Sequence, residues 1–235
     1  MTGNANRLTG WILTLSVTLW IVMIALWPIV IGDGAAAGVD DAGAVANRAA
    51  HLLEKQTAHR AIWVVEAIGA IGMAIAGLGL LRTTASGHRR AVVGWSAVTI
   101  GATVYVAMYG VMLGTYWPAA AAAGDDPAIL ASAITGAMAL FFLANLTFNA
   151  GFALTFMAQA GDERRVLPKV LAWAGVIVSI LACAASVAGL LAEPTVSAVQ
   201  SLDVMAIFAI VHFLLIGWLG LRLAYRSPVS EPVPS

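Results

Sequence analysis

The chain has very little charge for its length. Of its 235 residues, only 10% are charged, whereas 61% are hydrophobic. A soluble domain is about 25% charged. Twelve basic and twelve acidic side chains are too few to cover the surface of a water-soluble protein of this size. The composition therefore indicates a membrane protein whose partner is the lipid bilayer that surrounds it.

Several kinds of site are excluded by what is absent. Cys183 is the single cysteine, which rules out an intrachain disulfide, a CxxC redox pair and a cysteine-based metal site. The net charge is zero, so no basic surface points to nucleic acid. His51-x-x-Glu54 could offer two metal ligands, but a third is missing. We therefore predict neither a metal nor a cofactor.

Six apolar stretches are long enough to cross the bilayer core, which is about 30 Å thick and needs roughly 20 residues. We predict transmembrane helices at 9–31, 61–82, 91–117, 128–158, 170–191 and 198–223. The expected fold is all-α, a polytopic membrane helix bundle over 9–224. Residues 1–8 form a short N-terminal segment, and the proline-containing tail 225–235 is expected to be disordered. The first run is longer than the 7–15 apolar residues of a signal peptide, which favours an uncleaved span.

The basic residues predict the orientation. With six spans both termini share a side, and that side holds nine of the twelve Lys and Arg residues, leaving Arg48, Lys55 and Arg60 on the other. Lys and Arg accumulate in cytoplasmic loops. We therefore expect a multi-pass protein of the cell membrane with both termini in the cytoplasm.

Residues 38–60 are the one sizeable segment expected outside the bilayer, and within them 41–59 predict an amphipathic helix. Its apolar positions share one face: Val45, Ala49, Leu52 and Leu53. Its basic positions share another: Arg48, His51, Lys55 and His59. Such a helix typically lies in the outer membrane interface. The basic face either reaches lipid headgroups or binds an anionic group, in which case His51 and His59 are candidate ligand-binding residues.

Three ionisable residues in the predicted spans are functional hypotheses by default, because burial of such groups in a membrane is costly. His212 lies about 15 Å of helix before Arg222, which places it at the midplane. Glu66 lies in the outer part of the second span, and Asp203 near the outer end of the sixth. Each also has a structural interpretation: an interhelical hydrogen bond for His212, interfacial water for Glu66, and the helix dipole for Asp203.

Four further polar residues are candidate ligand-binding groups. Tyr105 and Tyr109 share a stripe of the third span with Tyr116, and Asn145 and Asn149 share a face of the fourth. At this depth such side chains either join helices or line a polar cavity.

The depth of the ionisable residues also predicts contacts. A polar group facing lipid at this depth finds no partner. We therefore expect Glu66 and His212 to face the interior, with Tyr105 or Tyr109 within hydrogen-bond reach of one of them. Gly110-x-x-x-Gly114 predicts a close helix crossing.

A resemblance to a known family rests on the second quarter of the chain. The stretch 46–53, Ala-Asn-Arg-Ala-Ala-His-Leu-Leu, is followed by 60–63, Arg-Ala-Ile-Trp, and then Gly69. Together with the spacing of the six spans, these residues resemble the bacterial membrane family catalogued as domain of unknown function 4386. The resemblance covers most of 9–224. It implies a six-helix membrane fold with an outer segment leading into the second helix, and it implies no activity.

Three classes of function follow. The first is a protein that binds a small hydrophobic or lipid-like ligand in an outward-facing cavity between the third, fourth and sixth spans, in a transport-related or accessory role. The second is an intramembrane acid–base enzyme of isomerase or cyclase type, acting through Glu66, Asp203 and His212. The third is a purely structural subunit. Convergence of the polar residues on one cavity would favour the first two. The sequence leaves open whether the chain forms a homo-oligomer or joins a partner subunit.

Overall fold

In a computed structural model the protein is a bundle of α-helices. The structure describes residues 2–32, 42–83, 89–162, 166–191 and 196–225, and their side chains except at 2–5, 42, 83 and 196–208. Helices occupy nearly all of this part of the chain: α1 (Thr2–Val30), α2 (Ala42–Glu54), α3 (Gln56–Thr83), α4 (Arg89–Ala122), α5 (Pro127–Gly161), α6 (Lys169–Leu191) and α7 (Val196–Tyr225). The predicted all-α fold class is confirmed. The tail 226–235 lies outside the described residues.

Five helices are long and apolar enough to cross a membrane: α1, α3, α4, α5 and α6. In α7 the apolar segment among the described side chains is the shorter Ala209–Tyr225, so the sixth span stays a prediction. Helices α4 and α5 contain 34 and 35 residues and outrun their predicted spans at both ends. At 1.5 Å per residue each is about 50 Å long, well over the bilayer core. Asp126 begins α5, because its carboxylate accepts a hydrogen bond from the Ala128 backbone N–H at 3.0 Å.

The six long helices close into a ring. Each packs against the next in the order α1, α3, α4, α5, α6, α7, and α7 packs against α1. Neighbours run antiparallel, since Gly10 near the start of α1 meets Gly220 near the end of α7. One end of the bundle therefore carries Arg82 at the end of α3 and Arg89 and Arg90 at the start of α4, and we call it the arginine-rich end. The opposite end carries α2, and we call it the α2 end.

Glycines allow α4 and α5 to cross closely. A Cβ added at Gly94 of α4 would lie 2.8 Å from the Gly151 oxygen of α5, and one added at Gly151 would lie 2.6 Å from the Gly94 oxygen. The two backbones touch here because neither residue has a side chain. The crossing predicted at Gly110 and Gly114 is wrong. Both residues are exposed, and a Cβ at either would meet nothing within 4 Å.

Helix α2 closes one end of the bundle. Val45, Ala49 and Leu52 are buried in the core, and α2 packs on α4, α5 and the start of α3. The predicted amphipathic face therefore covers protein rather than membrane. Leu53, expected on the same face, is instead 44% exposed. The predicted helix 41–59 is divided at Lys55, where α2 gives way to α3.

Candidate functional site

Glu66 lies on the interior face of α3. Trp63 and Met73 on the same face are 1% and 0% exposed, whereas Ile68 and Ile71 on the opposite face are 53% and 45% exposed. Glu66 itself is only partly buried. Because the opposite face of α3 is the one turned outward, Glu66 lies on the side of the helix that faces the bundle.

The Glu66 carboxyl joins a polar cluster across three helices. It accepts a hydrogen bond from the Tyr109 hydroxyl of α4. One turn away, the Tyr105 hydroxyl is hydrogen-bonded to the Asn145 amide of α5, and the Tyr105 and Tyr109 rings stack with their centroids 6.4 Å apart. We call Glu66, Tyr105, Tyr109 and Asn145 the carboxyl cluster. The predicted contact between Glu66 and a tyrosine is confirmed, whereas the functional roles of these residues stay predictions.

Trp20 of α1 fixes the position of Glu66 from the other side. Its indole N–H donates to the Glu66 backbone carbonyl at 2.8 Å. This approach requires Gly69, because a Cβ there would lie 2.7 Å from the Trp20 indole nitrogen. The Trp20 ring meets three others, at centroid distances of 5.2, 5.6 and 5.1 Å: Tyr105, Phe148 and Phe213. Rings from four helices thus form an aromatic layer across the bundle, and sequence reasoning missed Trp20 as its centre.

The two sides of this layer differ in packing. Toward the arginine-rich end the interior side chains are almost completely buried: Leu13, Val17, Val98, Phe152 and Phe156. Toward the α2 end several interior side chains are only partly buried: Ile24, Glu66, Met112, Phe141 and Asn145. These residues around the carboxyl cluster therefore keep some accessible surface.

His212 belongs to a second, sealed cluster. It is 2% exposed, and its Nε2 lies 3.1 Å from the hydroxyl oxygen of Ser179 on α6, which is itself fully buried. Phe152 and Phe156 pack on the His212 ring at centroid distances of 5.1 and 5.9 Å. We call these four residues the histidine cluster. A buried histidine with one interhelical hydrogen bond fits a structural role.

The structure does not bring all predicted site residues together. Phe148 lies between the two clusters, with its ring centroid 5.9 Å from Tyr105 and 6.5 Å from His212. Asn149 is buried, and its amide donates to the Asn145 carbonyl of its own helix at 2.7 Å. The side chain of Asp203 lies outside the described residues.

His51 and His59 lie at the α2 end, where His51 is partly buried and His59 is fully buried. His59 is 0% exposed, and neither of its ring nitrogens has a hydrogen-bond partner within the described chain. Its ring meets those of His51, Trp27 and Trp63 at centroid distances of 5.7, 5.4 and 5.0 Å. The expectation that His59 reaches lipid headgroups is therefore wrong, because α2 covers it. Burial and the nearby charge of Arg48 lower the pKa of His51, so this end of the bundle disfavours further positive charge.

No group of three or more His, Cys, Asp or Glu side chains among the described residues is arranged to hold a metal ion. Comparison with protein-family models, curated proteins and solved structures gives no match for this chain. The resemblance to the membrane family named above therefore stays a prediction.

Proposed function

We propose that the protein binds a small, largely apolar ligand at the carboxyl cluster, in a transport-related or accessory role. The observation that carries this proposal is the placement of Glu66. Its carboxyl accepts a hydrogen bond from Tyr109 and is only partly buried, whereas Trp63, one turn earlier on the same face of α3, is 1% exposed. A pocket with an apolar lining and a few positioned polar groups is the usual form of a small-molecule site.

The surroundings of the cluster favour the same kind of ligand. Ile24, Met112 and Phe141 offer partly exposed apolar surface on the α2 side of the aromatic layer. Tyr109 and Asn145 supply hydrogen-bonding groups that would orient a polar end. With the termini in the cytoplasm of a cell-membrane protein, as the basic residues favour, the carboxyl cluster lies in the outer half of the bundle, beneath α2.

The acid–base enzyme is the weaker candidate. It needs an acid and a base that meet the same substrate atoms, but Phe148 separates Glu66 from His212. The structural subunit accounts well for His212, which already has its partner in Ser179. The structural subunit gives no reason for a partly buried carboxyl on the interior face of α3.

The test is mass spectrometry of small molecules and lipids that copurify with the protein, followed by rebinding to the emptied protein in nanodiscs. Tyr109→Phe removes only the hydroxyl that holds Glu66, and Tyr225→Phe removes a hydroxyl from a residue that is 67% exposed at the far end of α7. We expect Tyr109→Phe to lower ligand recovery at least fivefold and Tyr225→Phe to leave it unchanged. Equal recovery from both variants, or no enriched ligand from the wild type, would contradict the proposal.

A further inference from the structure

Among the described residues, no basic side chain lies beside the acid of the carboxyl cluster. The sequence has no Lys or Arg at 8–30, 61–81 or 91–161, so α1, α4 and α5 bring no positive charge to Glu66. The titratable groups that face it are Tyr105 and Tyr109 of α4. An ionised carboxylate at this depth requires a cation beside it.

The basic groups nearest to Glu66 lie toward the α2 end. On α3 itself, the nearest basic residue is Arg60, six positions and about 9 Å of helix away. Its guanidinium lies over the Trp117 ring, 4.6 Å from the centroid. On α2, Arg48 and His51 lie close to Tyr116 and His59 rather than to Glu66. A counter-ion for Glu66 must therefore be a proton or come from a ligand.

The rings around the carboxyl indicate which kind of cation fits. Tyr105 and Tyr109 stack beside Glu66, and Trp20 packs on Tyr105 with their centroids 5.2 Å apart. Aromatic faces beside a carboxylate recognise alkylammonium groups, whereas Ca²⁺ and Mg²⁺ need six or more oxygen ligands. This set of side chains is therefore suited to an organic cation and poorly suited to a metal ion.

We propose that the ligand of the carboxyl cluster is a lipophilic organic cation, such as an alkylammonium, and that it binds in exchange for the proton on Glu66. In this step the Glu66 O–H bond breaks, its proton passes to water, and the cation takes its place beside the carboxylate. The charge of the site is the same before and after. This inference rests on the proposed function, because it assigns the chemistry of a ligand at that same site.

Two probes of the same shape separate the contribution of charge to binding from the contribution of shape. Benzyltrimethylammonium carries a fixed positive charge, and neopentylbenzene is its neutral isostere with carbon in place of nitrogen. Binding to the wild-type protein in nanodiscs is measured by calorimetry at several pH values and in buffers of different ionisation enthalpy. We expect the cation to release one proton per molecule bound and to bind up to tenfold more tightly per pH unit. The neutral probe should bind with no pH dependence.

Two acid-to-amide variants test whether Glu66 is the group that releases the proton. Glu66→Gln should weaken binding of the cation at least tenfold, abolish proton release and retain the neutral probe. Glu54→Gln removes an acid whose side chain is 72% exposed and should match the wild type. Should Glu66→Gln fail to fold, difference infrared spectra of the wild type decide, because the cation should remove the carbonyl band of a protonated carboxyl. Equal binding of both probes without proton release, or an unchanged carbonyl band, would overturn the exchange and leave the proposed function standing. Binding of neither probe would overturn both.

Discussion

The bundle contains two buried polar clusters that are built differently. In the histidine cluster, His212 has a single partner in Ser179, and phenylalanines fill the space around it. In the carboxyl cluster, Glu66 is held by Tyr109 and Trp20 but is only partly buried. The two clusters lie on opposite sides of the aromatic layer, and Glu66 is only partly buried whereas His212 is 2% exposed. We therefore expect a ligand to bind at the carboxyl cluster, where packing around the ionisable group is less complete.

The largest expected effect is a loss of stability caused by a substitution in the histidine cluster. His212→Ala would leave a cavity between α6 and α7 and deprive Ser179 of its partner, so we expect it to destabilise the protein by about 2–5 kcal/mol, as for other large-to-small changes in a core. The measurement is unfolding by a denaturing detergent. Leu214→Ala on the exposed face of the same helix, where the side chain is 59% exposed, serves as the control. Equal stability of the two variants would show that the histidine cluster is not tightly packed.

A second substitution tests the contact between α1 and α3 that positions Glu66 of the carboxyl cluster. Gly69→Ala would place a methyl group against the Trp20 indole, at a position where a Cβ comes within 2.7 Å. We expect it to destabilise the protein by about 1–3 kcal/mol through overpacking and to break the hydrogen bond to the Glu66 carbonyl. Trp20 fluorescence and thermal unfolding would detect both. Gly110→Ala, at an open position, should change neither.

A pair of single-atom deletions compares the clusters directly. Ser179→Ala removes the hydrogen bond of His212 and should lower stability by about 0.6 kcal/mol, the average for such bonds in membrane proteins. Tyr109→Phe removes a hydrogen bond of similar kind and should have a similar effect on stability. Only Tyr109→Phe should also weaken ligand binding. Loss of binding in Ser179→Ala at unchanged stability would reverse the assignment of the two clusters.

The smallest expected effect depends on pH and concerns the α2 end. Burial and Arg48 lower the pKa of His51 in the folded protein, so the unfolded chain takes up its proton first as the pH falls below about 6.5. The packing of α2 should therefore weaken slightly between pH 7.5 and 5, detected as faster hydrogen exchange in Ala42–Glu54. His51→Gln should reduce this pH dependence. Full pH dependence in that variant would assign the effect to another group.

The sequence predicted some of these features for physical reasons that the structure now explains. The apolar runs located the helices, and the depth of Glu66 and His212 predicted that both face the interior. The helical stripe of Tyr105 and Tyr109 was visible because residues four apart share a face. Ser179 was not identified as the partner of His212, because helix spacing within one span does not reveal which other helix lies beside it.

The errors have equally specific causes. Amphipathicity identified the apolar face of α2 but not what covers it, and the structure has α4 and α5 there rather than lipid. The Gly110-x-x-x-Gly114 pattern predicted a crossing that Gly94 and Gly151 provide instead. Small residues allow a close approach, but only the arrangement of the neighbouring helices decides where it occurs.

The central claim is that the carboxyl cluster binds a ligand and the histidine cluster does not. The most direct test is the affinity of benzyltrimethylammonium for Tyr109→Phe and Ser179→Ala, measured on the same day as their unfolding. We expect at least fivefold weaker binding to Tyr109→Phe, wild-type affinity for Ser179→Ala, and similar small losses of stability in both. Equal affinities for the two variants, or a loss of binding confined to Ser179→Ala, would contradict this claim.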